Sequence, residues 1–323
     1  MKKGTLLVGE PMGLFIAQNT GPFEDVDSYY SATAGAEFNV AIGIRRLGHP
    51  VGYYTKLGND PFGKRIVKMM NEENISTGLI QFYDDRFTGF MLKSKVEQGD
   101  PQIFYFRRNS AASTLSAGDI ERLDLTSYSA IHMTGITPAL SQSAMEATEA
   151  LLRRARKEGM LYSFDPNLRQ QLWSDPEIMR DYMNDMAGRC DIFMPGINEA
   201  KILTGSDVPE EIAAYYLEKG CKVVIIKLGG EGAYYAAGKE SGYVESFQVE
   251  KVVDTVGAGD GFAAGVLTAY HEGLSWEECV RRGNAVGAIQ VMSRGDNDGL
   301  PTRQELFDFM EGKPDWRVSR NEL

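Results

Sequence analysis

From about residue 126 onward, short continuous apolar runs alternate with segments of helical period. Ala130-Ile131-His132-Met133 predicts a strand, and residues 143–157 predict a helix carrying Ala144, Ala147, Leu151 and Ala155 on one stripe. Further strands are predicted over 161–164, 191–194 and 223–228, and residues 5–9 predict a first buried strand near the start of the chain. Apolar strands separated by helices bury both faces of a sheet, which requires a mostly parallel, doubly wound α/β core flanked by helices. Ser275-Trp276-Glu277-Glu278 has the S-x-x-E form of a capping box opening a long helix. The helix before it is predicted to start near Gly261 and stop at Gly273.

Two segments break this rhythm. Residues 11–32 and 87–108 alternate like antiparallel strands, in Leu14-Phe15-Ile16, Tyr29-Tyr30, Phe90-Met91-Leu92 and Ile103-Phe104-Tyr105-Phe106. Either they extend the main sheet, or they form a small β-sheet that serves as a lid beside a pocket. An apolar lid face can in turn close over that pocket or pair two copies as a homodimer or higher homo-oligomer. No repeat, low-complexity tract or linker divides the chain, so 1–323 reads as one domain with a charged, peripheral tail after Gly312.

Composition narrows the class. With 43% hydrophobic and 24% charged residues the 323-residue chain is not a disordered one, and its 35 glycines suit the many tight turns of an α/β enzyme. The net charge of −11 repels nucleic acid and anionic lipid, while leaving room for a local basic pocket. The opening apolar run is broken by Glu10 and Pro11, against a signal peptide, and no stretch approaches the roughly 18 apolar residues of a membrane span. Cys190, Cys221 and Cys279 are odd in number and match no zinc spacing, which suits a reducing cytoplasm. His49, His132 and His271 are scattered and read as surface or packing residues.

The strongest chemical signal is the run from Asp254 through Thr255-Val256-Gly257-Ala258-Gly259-Asp260 to Gly265. Small residues let backbone N–H groups approach an anion, and the helix that follows adds about half a positive charge at its start. A carboxylate there, Asp260, can accept a proton from a substrate hydroxyl while the amides stabilise a transferring phosphoryl group. The alternative is structural, with the glycines as turn formers and Asp260 as an N-cap. The run is not a G-x-x-x-x-G-K-[ST] P-loop, and it lacks the last glycine of the dinucleotide fingerprint.

Asp254 to Gly265 resembles the C-terminal signature of the ribokinase-like (PfkB) sugar kinases, and Ala34-Gly35-Ala36-Glu37-Phe38-Asn39-Val40-Ala41 resembles their N-terminal one. The Leu57–Gly63 stretch is similar to a further family segment near the sugar. The resemblance covers nearly the whole chain and implies an α/β sheet with a small β lid, ATP and Mg²⁺ as cofactors, and a small sugar as substrate. It implies that Asp260 is the base, that Gly257, Ala258 and Gly259 form the anion hole with it, and that Gly35 and Asn39 face the sugar. Lys227, Gly229 and Gly232 match the family's nucleotide loop, and Asn284 a position near adenine; as residues alone, the glycines can be turn formers and Asn284 a helix-surface residue. Of the family's N-x-x-E, Glu199 is retained, to organise magnesium through water, but Gly196 replaces the asparagine. Asp254 matches a position that binds a monovalent cation such as K⁺.

Substrate choice turns on arginines, whose planar fork can clamp a carboxylate. Arg107 and Arg108 follow a proposed lid strand, and Arg169 lies just past a strand end. Arg108 reads as a surface charge. The stretches IFYFRRNSAAS, HMTGITPAL and DPNLRQQLW resemble 2-keto-3-deoxygluconate kinases within that family, which implies Tyr105, Arg107 and Arg169 as sugar-acid contacts; Met91 stands where a tyrosine is expected. Fructokinases share DPNLR and are the rival. From another class, a non-catalytic nucleotide-binding regulator would be marked by loss of the base, and Asp260 is present.

Overall fold

The computed structural model describes residues 3–96, 101–314, 316 and 317. In chain order its strands are β1 (Gly4–Val8), β2 (Met12–Thr20), β3 (Tyr29–Ala34), β4 (Val51–Gly58), β5 (Ile80–Tyr83), β6 (Phe90–Lys95) and β7 (Ile103–Phe106), followed by β8 (Tyr128–Thr134), β9 (Leu161–Asp165), β10 (Ile192–Phe193), β11 (Val223–Lys227), β12 (Ala233–Ala237) and β13 (Glu240–Val244). A nine-stranded sheet has the order β13-β12-β11-β10-β9-β8-β1-β4-β5. Every neighbouring pair from β11 to β5 is parallel, and β12 and β13 add an antiparallel edge. Helices bury both faces, as the unbroken apolar strand Val223-Val224-Ile225-Ile226 requires.

The elements read from periodicity form where the pattern put them, with instructive offsets. The helix Gln142–Lys157 opens one residue earlier than the pattern suggests, because Ser141 Oγ accepts from the Ala144 amide at 3.1 Å. Ser275 and Glu278 make the reciprocal capping box that opens the helix Trp276–Gln290. The 191–194 strand shrinks to Ile192–Phe193. The β12–β13 hairpin carries no clear strand signal, since three of the five β12 residues are alanine, which is poor in strands.

Residues 11–32 and 87–108 do not extend the main sheet. They supply a separate four-stranded sheet of order β3-β2-β6-β7. Its outer pairs are antiparallel, as the alternation suggests, but β2 and β6 run parallel through Leu14–Met91 and Phe15–Leu92. Met12, Leu14, Ala34 and Met91 form its own buried cluster. Residues 97–100 of the second segment, and residues 315 and 318–323 of the charged tail, lie outside the described residues. No described helix is long and apolar enough to cross a membrane.

Candidate active site

The parallel strands end on one side of the sheet, where α/β folds place ligands. β9 ends at Asp165 and β11 at Lys227, and the Lys227 ammonium pairs with Asp165 Oδ2 at 2.5 Å. Asp165 Oδ1 accepts from the Asn167 amide at 3.1 Å, closing a tight turn in which Asn167 takes φ 36°. That turn projects Arg169 toward the same space. A cavity of about 400 Å³ results, reached by Gly35, Asn39, Tyr105, Arg107, Arg169, Glu199, Lys227, Gly257, Gly259 and Asp260. Ten of the sequence-predicted positions therefore share one cavity, although they come from both sheets and from segments more than two hundred residues apart.

Asp260 is not the cap of its helix. The helix Ala258–His271 begins three residues earlier than the pattern predicts, capped by Gly257 at φ 80°, so Asp260 lies inside the first turn with its side chain free for other partners. Close packing decides which partner it meets. At Gly43 an added Cβ would come within 2.6 Å of the Ala264 Cβ, so the helix Ala36–Arg46 runs unusually near the helix Ala258–His271. The approach lets Asn39 Nδ2 donate to Asp260 Oδ2 at 2.8 Å, while Asn297 Nδ2 donates to Asn39 Oδ1 at 2.9 Å. The amide chain fixes the carboxylate from behind, and both asparagines are buried.

The electrostatics suit a base. Burial pushes the Asp260 carboxyl up to about 7; the Asn39 hydrogen bond opposes the rise and nearby Asp165 adds to it. A base of that pKa is about half ionised at neutral pH, and its ionised form is avid for a proton. Burial opposes the charge on Lys227 and on Arg169, yet Asp165 and Glu199 around the first, and Tyr105 and Asp260 around the second, outweigh it and hold both pKa values above their ordinary ones. The Ala258 amide donates to the Thr255 carbonyl at 3.3 Å, and Ala258 does not line the cavity; the other first-turn N–H groups, with no intrahelical partner, present donors and positive potential beside the Asp260 carboxylate. An anion and an alcohol can be held side by side there.

Other predicted residues take different places. Both Glu199 oxygens accept backbone amides, from Leu168 at 2.7 Å and Gly196 at 2.8 Å. Among the described residues no cluster of three or more acidic, histidine or cysteine side chains could hold a metal ion. Arg107 is buried with its Nε donating to Glu10 Oε2 at 2.7 Å, which commits one of its five donors. Arg108 is exposed. Gly229, Gly232 and Asn284 do not line the cavity: the Asn284 amide donates to the Val244 and Glu245 carbonyls, tying down the end of β13. Within Leu57–Gly63, Asp60 caps the helix Pro61–Glu72 through the Gly63 amide and receives the Thr88 amide. Asp254, expected as an open cation ligand, instead pairs with Lys93 at 2.6 Å.

The sequence reading missed Asp165, Asn297, Glu10 and Lys93. Lys93 left a signal: on β6 it shares the inward face with Met91, so a charge sits at an apolar position of a period-two pattern.

The family model for pfkB family carbohydrate kinases matches residues 9–303. A 2-dehydro-3-deoxygluconokinase of Bacillus subtilis is 46% identical over 314 residues, spanning 97% of each chain. The crystal structure of a PfkB protein from Polaromonas sp. JS666 is 42% identical with a TM-score of 0.87, covering 94% of this chain and 99% of that one. An Escherichia coli ribokinase II solved with ATP and Mg²⁺ is 28% identical, with a TM-score of 0.88 over 96% of this chain and 99% of its own. With the shared fold, a carboxylate at the start of the glycine-turn helix and a match to nine-tenths of its length, the chain belongs to the PfkB family of carbohydrate kinases.

Proposed function

We propose that the protein transfers the γ-phosphoryl group of ATP to the terminal hydroxyl of 2-keto-3-deoxygluconate (2-dehydro-3-deoxygluconate), giving the 6-phosphate. The observation that carries this reading is a buried Asp260 carboxylate facing the same cavity as the Arg169 guanidinium, in a chain 46% identical to a 2-dehydro-3-deoxygluconokinase. Asp260 removes the hydroxyl proton as the new O–P bond forms and the bond from the γ-phosphorus to the β,γ-bridging oxygen breaks, releasing ADP. The N–H groups of Gly257, Ala258 and Gly259, with that of Asp260, hold the charge of the transferring group. Gly35 and Asn39 face the sugar. Arg169, with Tyr105 and the donors of Arg107 not used by Glu10, holds the sugar carboxylate.

Glu199 would reach a magnesium ion bound with ATP through water, and the ion would supply neutralisation of phosphate charge. Lys227, Gly229, Gly232 and Asn284 serve the nucleotide side. For Gly229, Gly232 and Asn284 the support is the family pattern, because none of them lines the cavity. Met91, Ile103 and Tyr105 of the small sheet line the cavity, which supports its action as a lid. Exposed Tyr30, Phe104 and Phe106 on that sheet support pairing of two copies through it. Three free, buried cysteines suit work in a reducing cytoplasm.

The test is an ATP-consumption assay over 2-keto-3-deoxygluconate, 5-keto-2-deoxygluconate, fructose, ribose and adenosine, run on the natural chain and on Arg169→Ala. The sugar acid 2-keto-3-deoxygluconate is expected to give the highest kcat/KM. Arg169→Ala should raise KM for it by about 10–100-fold, the value of a charge-assisted bond or two, while hardly changing KM for fructose. Higher kcat/KM for fructose, or an unchanged KM in the variant, removes the sugar-acid assignment.

A further inference from the structure

Lys93 is the most unusual charge in the small sheet. Its side chain is 4% exposed, and its ammonium lies 2.6 Å from Asp254 Oδ2 and 3.7 Å from Asp296 Oδ1. These two carboxylates flank the anion-binding turn. Asp254 opens it, with Oδ1 accepting the Val256 amide at 3.1 Å. Asp296 lies in the loop after the helix Trp276–Gln290, and its backbone packs so tightly on the turn that a Cβ at Gly257 would come within 2.0 Å of its carbonyl oxygen. The Gln290 side-chain amide ties the same two segments together, donating to the Val256 carbonyl at 3.3 Å and the Gly295 carbonyl at 2.9 Å. Asp296 is buried, with an Oδ1 that makes no hydrogen bond, and Asp254 is partly buried; a positive charge between them offsets the cost of holding carboxylates away from water.

The donor set does not suit a bound monovalent cation. Both Asp254 oxygens already have partners, Lys93 and the Val256 amide, and a fixed ammonium next to the carboxylate repels a second cation. We propose that Lys93 is a built-in counterpart of a monovalent cation: a positioning residue that neutralises Asp254 and Asp296, holds the Gly257 turn in its anion-binding form, and frees the enzyme from any requirement for K⁺. Because Lys93 belongs to β6, the same bond couples the place of the small sheet to the turn. This inference rests on the kinase reading of that turn. A charge supplied by the chain is present at any salt composition.

The test compares KCl with tetramethylammonium chloride at equal ionic strength, a cation too large for a lysine-sized site. For the natural chain, melting temperature in the presence of ADP and turnover with MgATP should be the same in both salts. Lys93→Met should turn over about 10-fold or more slowly in tetramethylammonium and regain part of its rate and melting temperature selectively in KCl, while Lys93→Arg keeps the natural behaviour. A selective gain in the natural chain with KCl overturns the proposal without any variant. So does a Lys93→Met protein that binds ADP yet shows no preference for KCl, since a packing role alone predicts equal loss in both salts. If Lys93→Met does not fold, the natural chain and Lys93→Arg decide. Melting needs no sugar, so failure of the substrate assignment leaves this result readable.

Discussion

Asp260→Asn is expected to lower kcat by about 10²–10⁴-fold, the usual worth of general-base assistance. The substitution keeps shape and one acceptor, so Asn39 Nδ2 can still donate to the side chain and the first turn of the helix is undisturbed. ADP or ATP affinity, measured by calorimetry, should stay near that of the natural chain. Undiminished kcat would reject the base role. In the natural chain, log kcat/KM should decline as pH falls through about 7, because the carboxylate must be ionised to accept the proton. Stability runs the opposite way. With a folded-state pKa raised from 3.8 to about 7, the carboxyl's favourable contribution is complete below 3.8 and is lost as pH rises through about 7, where an ionised group is held away from water. Asp260→Asn should therefore melt at a higher temperature than the natural chain above pH 7, and the gain should shrink as pH approaches 3.8. Catalytic power here is held at a cost in stability.

How much of this was legible depends on how far each partner lies along the chain. The glycine turn and Asp260 were readable because small residues and an apolar helix adjoin within a dozen positions. The helix start was misplaced because Ala258 and Gly259 read as turn, whereas Gly257, in a left-handed conformation, caps before them. The pairing of Arg107 with Glu10, 97 positions away, and the bond from Asn284 to the Val244 carbonyl, 40 positions distant, left no local mark in the sequence. The parallel pairing of β2 with β6 was equally hidden: alternation shows which face a strand buries, not which strand lies beside it. Conversely, family resemblance singled out Gly35 and Asn39, both of which line the cavity, before any contact with Asp260 was visible. What the residues alone lacked was the closeness of two helices, set by Gly43 against Ala264.

Gly257→Ala should damage both rate and stability. Two costs add. The φ of 80° is a left-handed conformation that a Cβ disfavours, by roughly 1–2 kcal/mol. The Cβ would also sit 2.0 Å from the Asp296 carbonyl oxygen, a backbone atom of a loop held by Gln290, Lys93 and Leu300 contacts to its neighbours. Neither side can yield without moving the first N–H groups of the helix Ala258–His271, and losing one well-placed donor to a developing anion costs about 10²–10³-fold in rate. The expected result is a kcat lower by at least that factor, together with a reduced melting temperature. Gly159→Ala separates the two costs: it carries a comparable φ of 65° beyond the helix Gln142–Lys157, with nothing within 4 Å of the new Cβ. That variant should lose about 1 kcal/mol of stability and no activity. Were Gly257→Ala to behave like Gly159→Ala, with near-natural kcat, the turn would be ordinary chain geometry, and the charge of the transferring phosphoryl group would have to be held by Lys227 and Arg169 alone.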